Sequence, residues 1–127
     1  MPTEPKKIKI EQIIQTHDRL IREYGGESGI LNEGELHFIV GWVNDNLRKS
    51  IFWRAAILMR GIVCGHPFVD GNKRTAYEVV DSYLRVHGYK ITADKQETLN
   101  FILNLARYGS DLENIVEWLK KNTRKFK

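Results

Sequence analysis

Nine consecutive residues concentrate the reactive side chains of this sequence: His66-Pro67-Phe68-Val69-Asp70-Gly71-Asn72-Lys73-Arg74. They lie between two segments with apolar stripes, Ile51 to Cys64 and Lys73 to His87, each of which reads as a helix. The nine residues thus form a loop that opens a helix. Gly71 lets the backbone turn tightly and lets an anion come close. A helix starting at Asn72 or Lys73 offers free N–H groups and the positive end of its dipole, and both favour phosphate. Lys73 and Arg74 add charge, and an arginine can grip phosphate oxygens through two parallel hydrogen bonds. The Asn72 amide can donate to an oxygen that gains charge in a transition state. Asp70 is an oxygen ligand suited to Mg²⁺, which commonly takes one or two carboxylates and completes its shell on substrate phosphates. Histidine is the residue type best suited to exchange a proton near neutral pH, so His66 is the candidate base for an attacking hydroxyl. A base, a metal ligand and an anion cradle are the parts that phosphoryl or nucleotidyl transfer needs.

Each residue also has a plain structural reading. His66 can cap the preceding helix, Asp70-Gly71-Asn72 can be a simple turn, and Lys73 and Arg74 can be solvated. Pro67 and Phe68 read as scaffold, the proline stiffening the loop and the phenylalanine anchoring it in the core. It is the crowding of these chemistries into one loop that points to function.

The elements that must hold this loop are legible as helices. Ile10, Ile13, Ile14, His17, Leu20, Ile21 and Tyr24 recur in steps of three and four, and Gly25-Gly26 ends that stripe. His17, on the apolar stripe, is expected to be a hydrogen-bonded core histidine. A glycine-rich connection follows, and Asn32 with Glu35 resembles a capping box. The next helix carries Leu36, Ile39, Val40 and Val43, with Phe38 and Trp42 on an adjacent ridge. Val43 to Lys49 reads as a turn or short flap, and Ser50 can cap the helix beyond it. There Phe52, Ala55, Ala56, Met59, Ile62 and Val63 describe a central, mostly buried helix that stops at Gly65. After the loop the stripe is Ala76, Val79, Val80, Tyr83, Leu84 and His87. Tyr89 to Thr92 is a short extended link. Asp94 with Glu97 starts a helix bearing Leu99, Ile102, Leu103 and Ala106, beside Phe101, Leu105 and Tyr108. Ser110 with Glu113 forms a capping-box pair for the last helix, which carries Leu112, Ile115, Val116, Trp118 and Leu119. The expectation is an all-α fold of about six helices around a central helix–loop–helix. Residues 1–127 would form one domain, with 1–7 and 121–127 as loose ends.

Composition narrows the class. Of 127 residues, 42% are hydrophobic and 28% charged, ordinary for a globular protein. The formal net charge is +4, and residues 120–127 alone hold five cations. That balance suits an anionic ligand, but a basic tail by itself gives little support for nucleic-acid binding. Cys64 has no partner for an internal disulfide, which fits a reducing cytoplasm. No apolar run approaches the roughly 20 residues needed to span a bilayer, and no signal-peptide core is seen. A cytoplasmic location without membrane association is expected.

The loop resembles the signature of the Fic/Doc superfamily, which runs His-x-Phe-x-acid-Gly-Asn-Gly-Arg-x-x-Arg in the Fic branch. The Doc (death-on-curing) branch has lysine after the asparagine, and this sequence has Lys73. The likeness extends over His17 to Gly34, Ala55 to Gly65, Tyr83 to Ile91 and Ala106 to Leu119. It implies an all-α Fic fold with the loop at a helix N-terminus. It implies further that His66 is the base, that Asp70 holds Mg²⁺, and that Gly71, Asn72, Lys73 and Arg74 meet the phosphates of ATP or another nucleoside triphosphate. Fic enzymes transfer AMP to a protein hydroxyl, whereas Doc-type toxins act as protein kinases that place the γ-phosphate at the histidine. Lys73 puts a long cation where Fic has bare glycine, obstructing the diphosphate path while offering a γ-phosphate contact. The second Fic arginine falls at Tyr77, which cannot supply that charge.

The leading expectation is therefore a Doc-type protein kinase. It would be a toxin acting on a Ser, Thr or Tyr hydroxyl of a target protein such as a translation elongation factor. AMP transfer is the alternative within the same broad class, and a non-catalytic nucleotide- or anion-binding module is the alternative outside it. The Val43 to Ser50 segment is shorter than the resemblance implies for a region that positions the target. No Ser or Thr has Glu four residues later, so the inhibitory helix of many Fic proteins is absent. The resemblance then implies restraint in trans by a small antitoxin docking near the site.

Overall fold

A computed structural model describes residues 4–126. Six helices are joined by short connections: α1 (Ile10–Tyr24), α2 (Glu33–Asn44), α3 (Ile51–Gly65), α4 (Asn72–Val86), α5 (Lys95–Tyr108) and α6 (Leu112–Lys121). Two three-residue strands, β1 (Tyr89–Ile91) and β2 (Thr123–Lys125), pair antiparallel with Lys90 opposite Arg124. The structure is all-α apart from this ribbon, as the periodicities predict.

α3 is the central helix. Ile57, Leu58, Met59, Ile62 and Val63 are all at most 1% exposed. Each such side chain contributes roughly 1.5–3 kcal/mol by leaving water. α3 packs against α4, α6, α2 and α5. Small residues set the spacing to α2. A Cβ on Gly61 would come within 2.5 Å of Ile39, and one on Gly65 within 2.6 Å of the Glu35 carboxylate. Alanine at Gly61 would push α2 outward, whereas alanine at Gly65 would displace the Glu35 carboxylate. Ser50 caps α3 as expected, its hydroxyl accepting from Trp53 N at 3.1 Å. Asn32 caps α2, accepting from Glu35 N.

Three expectations need correction. The segments expected to be loose are held. Lys6 N donates to His87 Nε2 at 2.8 Å, and Ile8 is buried. At the other end, Thr123 to Lys125 pairs with β1, and Phe126 N donates to Gly88 O at 2.8 Å. Met1 to Thr3 and Lys127, included in those segments, lie outside the described residues. A polar tail gains order here because β1 offers it a free ladder edge. The last helix is capped by Asp111, which accepts from Asn114 N at 2.9 Å, and not by Ser110. Asp and Ser are equally good caps, and the chain starts α6 one residue later. On α5 the buried stripe is Thr98, Ile102 and Leu105, while Leu103 is 45% exposed. The Thr98 hydroxyl donates to Asp94 O at 3.0 Å, which lets a polar residue stand in the core stripe. The segment read as a turn or short flap is indeed a turn at residues 45–48, and it leads into the N-terminal end of α3. The reactive loop leaves its other end, about 22 Å away for 15 residues. The turn does not flank the loop.

Candidate active site

The loop between α3 and α4 is fastened from three sides. Phe68 is 1% exposed and stacks flat on His17, with ring centroids 3.8 Å apart. His17 Nε2 lies 2.7 Å from the Asp70 carbonyl oxygen, so that nitrogen carries the proton and donates. The expectation of a hydrogen-bonded core histidine at position 17 is met, and its partner is the loop itself. Asn72 brackets the same turn. Its Oδ1 accepts from Phe68 N at 3.1 Å and its Nδ2 donates to Phe68 O at 2.9 Å. Asn72 is 8% exposed, so its amide serves the loop backbone, where the sequence suggested a donor to a reacting oxygen.

The third fastening comes from the glycine-rich connection between α1 and α2. Leu31 N and Asn32 N both donate to Pro67 O, at 2.8 and 3.0 Å, and Val69 N donates to Gly29 O at 3.1 Å. Ile30 and Phe68 form an isolated antiparallel bridge. This connection, and not the 43–50 segment, lies along the loop. Its course depends on left-handed glycines, Gly26 at φ +112° and Gly29 at φ +122°.

Asp70 is held by its backbone neighbours. Glu27 N donates to Oδ2 at 3.1 Å and Gly71 N donates to Oδ1 at 2.8 Å. Those two hydrogen bonds are the main reason its carboxyl titrates below the usual aspartate value, with a smaller contribution from the positive charge nearby. The carboxylate is exposed and ionised at neutral pH, and each oxygen keeps a lone pair for a cation. Among the described residues no three His, Cys, Asp or Glu side chains cluster as a complete metal cage. A lone, fixed, ionised carboxylate beside an anion cradle fits a Mg²⁺ that completes its shell on phosphates and water.

His66 is the C-terminal cap of α3 and takes a left-handed conformation, φ 49° and ψ 58°. It is the one non-glycine residue with positive φ among those described. Such a conformation costs on the order of 1–3 kcal/mol and persists because the residues after it are pinned. The helix-ending position of His66 and the catalytic reading are thus compatible: its left-handed backbone ends α3, and the ring is exposed with no hydrogen-bond partner among the described residues.

α4 opens with Gly71 in the left-handed region, φ 79°. Thr75 N closes the first turn on Gly71 O at 3.0 Å. Among the described residues nothing accepts from the N–H groups of Asn72, Lys73 or Arg74, so the helix presents an open anion cradle. Lys73 and Arg74 are exposed at its rim, and the Arg74 guanidinium lies 4.3 Å from the Tyr24 ring centroid. Tyr77 is half-buried one turn on, with burial the main cause of its raised pKa and Lys95 Nζ 5.7 Å from its ring.

His66, Asp70, Gly71, Lys73 and Arg74 therefore share one end of the α3–α4 pair, with Asn72 beneath them. Three contributors escaped the sequence reading. Gly26 and Glu27 position Asp70, and Tyr24 supports Arg74. The run of glycines after α1 was the available signal, but nothing in it says which loop it will meet.

Comparison with known proteins finds relatives by sequence. The sequence model of the Fic/DOC family matches residues 7–84. The chain is also similar to the protein named "Protein kinase doc" of Escherichia phage P1, at 27% identity over 120 residues. That alignment covers 91% of this chain and 94% of the phage protein.

Proposed function

The chain belongs to the Fic/DOC family, and on that premise we propose that it is a Doc-type protein kinase, transferring the γ-phosphate of ATP to a hydroxyl of a target protein. One observation carries the choice of γ-transfer: Lys73 at the rim of an open cradle, followed by Tyr77 in place of a second arginine. Similarity over nearly the full length to a protein named a kinase supports the same reading.

In this reading the first N–H groups of α4, with Lys73 and Arg74, bind the γ-phosphate and its neighbour and neutralise charge as it spreads over the phosphoryl oxygens. Gly71, at φ 79°, supplies the left-handed turn from which the cradle starts. The target hydroxyl oxygen attacks the γ-phosphorus, so that a new O–P bond forms while the bond from phosphorus to the β,γ-bridging oxygen breaks. ADP leaves with that electron pair. His66, presented without a competing partner, takes the hydroxyl proton. Asp70 would hold Mg²⁺ together with the phosphates, and the ion would supply further charge neutralisation. Asn72 and His17 keep the loop in shape.

The target class is a Ser, Thr or Tyr hydroxyl on a protein, with a translation elongation factor as the candidate the family likeness suggests. Restraint by an antitoxin in trans belongs to the same reading. No helix among the described residues is long and apolar enough to cross a membrane, and we place the activity in the cytoplasm.

The deciding experiment incubates the protein, Mg²⁺ and a cell extract with ATP labelled at the α or the γ phosphate, with His66→Ala as the control. The expected result is γ label on a protein band that disappears with the variant. Label from the α position would make the chain an AMP transferase. ATP binding with no transfer, and a biological effect that survives His66→Ala, would make it a binding module.

A further inference from the structure

A sizeable cleft lies far from the reactive loop, at the N-terminal end of α3. Of about 710 Å³, it is lined by Arg48, Lys49, Arg54 and Lys125, and none of its lining residues is acidic. Arg54 is the unusual member. It is only 4% exposed. Its Nε donates to Lys49 O at 3.2 Å and its Nη1 to the Tyr83 hydroxyl at 2.7 Å, both neutral acceptors. Nη2 has no hydrogen-bond partner, and no carboxylate comes within ion-pair distance, among the described residues. His87, 3.5 Å from Nη1, cannot serve as counter-charge: its Nε2 already accepts from Lys6 N, so it is a neutral ring.

A buried guanidinium is always charged, and without a counter-ion it is costly to keep. The other three cations share this lack. The Lys49 ammonium lies over the Trp53 ring at 5.4 Å and that of Lys125 over the Tyr89 ring at 5.9 Å, while Arg48 makes no ion pair. The α3 N-terminus adds its own positive end. Ser50 caps Trp53 N, but nothing among the described residues accepts from the N–H groups of Ile51 and Phe52. Two chain segments that are remote in sequence, residues 48–54 and Lys125, thus turn unpaired positive charge toward one space.

We propose that this cleft is a second anion site, taking the phosphate of a small phosphate ester with Arg54 as its buried counter-charge. Four cations and no acid suit a dianion better than a single carboxylate. The volume falls within the roughly 300–1,000 Å³ typical of small-molecule pockets, well beyond a bare ion. Ile51, Tyr89 and Phe126 supply an apolar wall for the organic body. The site is independent of the reactive loop and of the activity proposed for it.

The test is an amide NMR titration of the isotopically labelled protein with inorganic phosphate and with ribose 5-phosphate, at ionic strength held constant by chloride. The expected result is saturable shifts at residues 51–54 and 87–89, with the ester binding more tightly than the ion. Exchanging the two exposed cations, R48S/K125S, should weaken that binding about tenfold and leave any shifts at residues 70–74 unchanged, since charge-assisted contacts carry the affinity. Arg54→Met should abolish it, and the double variant keeps the test valid where Arg54→Met fails to fold. Shifts confined to 70–74, shifts that never saturate, or binding indifferent to R48S/K125S would each overturn the site. Equal affinity for ion and ester would overturn the claim that an organic body is recognised.

Discussion

Gly26→Ala should damage the active site while leaving the fold standing, and the structure sets the scale. A Cβ at Gly26 would lie 2.7 Å from Asp70 Oδ2, where ordinary contacts begin at 3.4 Å. The carboxylate must therefore retreat by about 0.7 Å, or the connection must lift off the loop. Either movement breaks the hydrogen bond from Glu27 N that holds Oδ2. Catalytic groups tolerate errors of only about 0.5 Å, and a misplacement near 1 Å can cost on the order of 100-fold in rate. Gly25→Ala is the matched control. It also imposes positive φ on alanine, +86° against +112°, but its Cβ meets nothing within 4 Å. Both variants should lose roughly 1–3 kcal/mol of stability to positive-φ strain. For a chain of this size that is a fall of about 4–12 °C in Tm. Calorimetry of Mg²⁺-dependent ATP binding and the γ-label assay then separate them. Gly26→Ala should lose the Mg²⁺-dependent part of binding and about 100-fold in transfer, while Gly25→Ala keeps both within a few-fold. If the two variants behave alike, the contact between the glycine connection and Asp70 does not position the carboxylate.

Three further outcomes are expected. His17→Phe keeps a ring against Phe68 but removes the donor to Asp70 O. It should cost about 1–2 kcal/mol by urea unfolding and lower the transfer rate without changing its pH profile, since the histidine supports the loop and exchanges no proton with substrate. Burial, followed by Arg54 and Lys6, holds the His87 pKa below the ordinary histidine value, against an opposing hydrogen bond to Tyr83 O. The unfolded chain takes up that proton near pH 6.5 and the folded chain resists it. This component of stability is therefore complete above about pH 6.5 and declines as the pH falls toward the folded pKa. Chemical denaturation between pH 7.5 and 5 should show that slope, and His87→Gln should flatten it. The double variant K73G/Y77R, which restores the Fic pattern, should lose γ transfer and gain α label on target protein; persistent γ transfer would show that Lys73 does not select the orientation of the nucleotide.

How much could be read in advance depended on whether the cause was local. The stripes from Ile10 to Tyr24, from Phe52 to Val63 and from Ala76 to His87 specify helices, because helical periodicity is a relation between residues three and four apart. The candidate site from His66 to Arg74 could be marked for the same reason, since loop, helix start and reactive side chains are contiguous. Tertiary structure decided everything that needed two remote segments to meet. Only the packing of α1 against α4 brings His17 and Gly26 to Asp70 and Tyr24 to Arg74. Only the free edge of β1 turns a basic tail into β2, and only then does Lys125 join Arg48 and Arg54 around a cleft. The role of Asn72 divided the same way. Its side-chain type invited a contact with substrate, but the Phe68 backbone four residues earlier claimed both ends of the amide, because a buried turn must satisfy its own polar groups first.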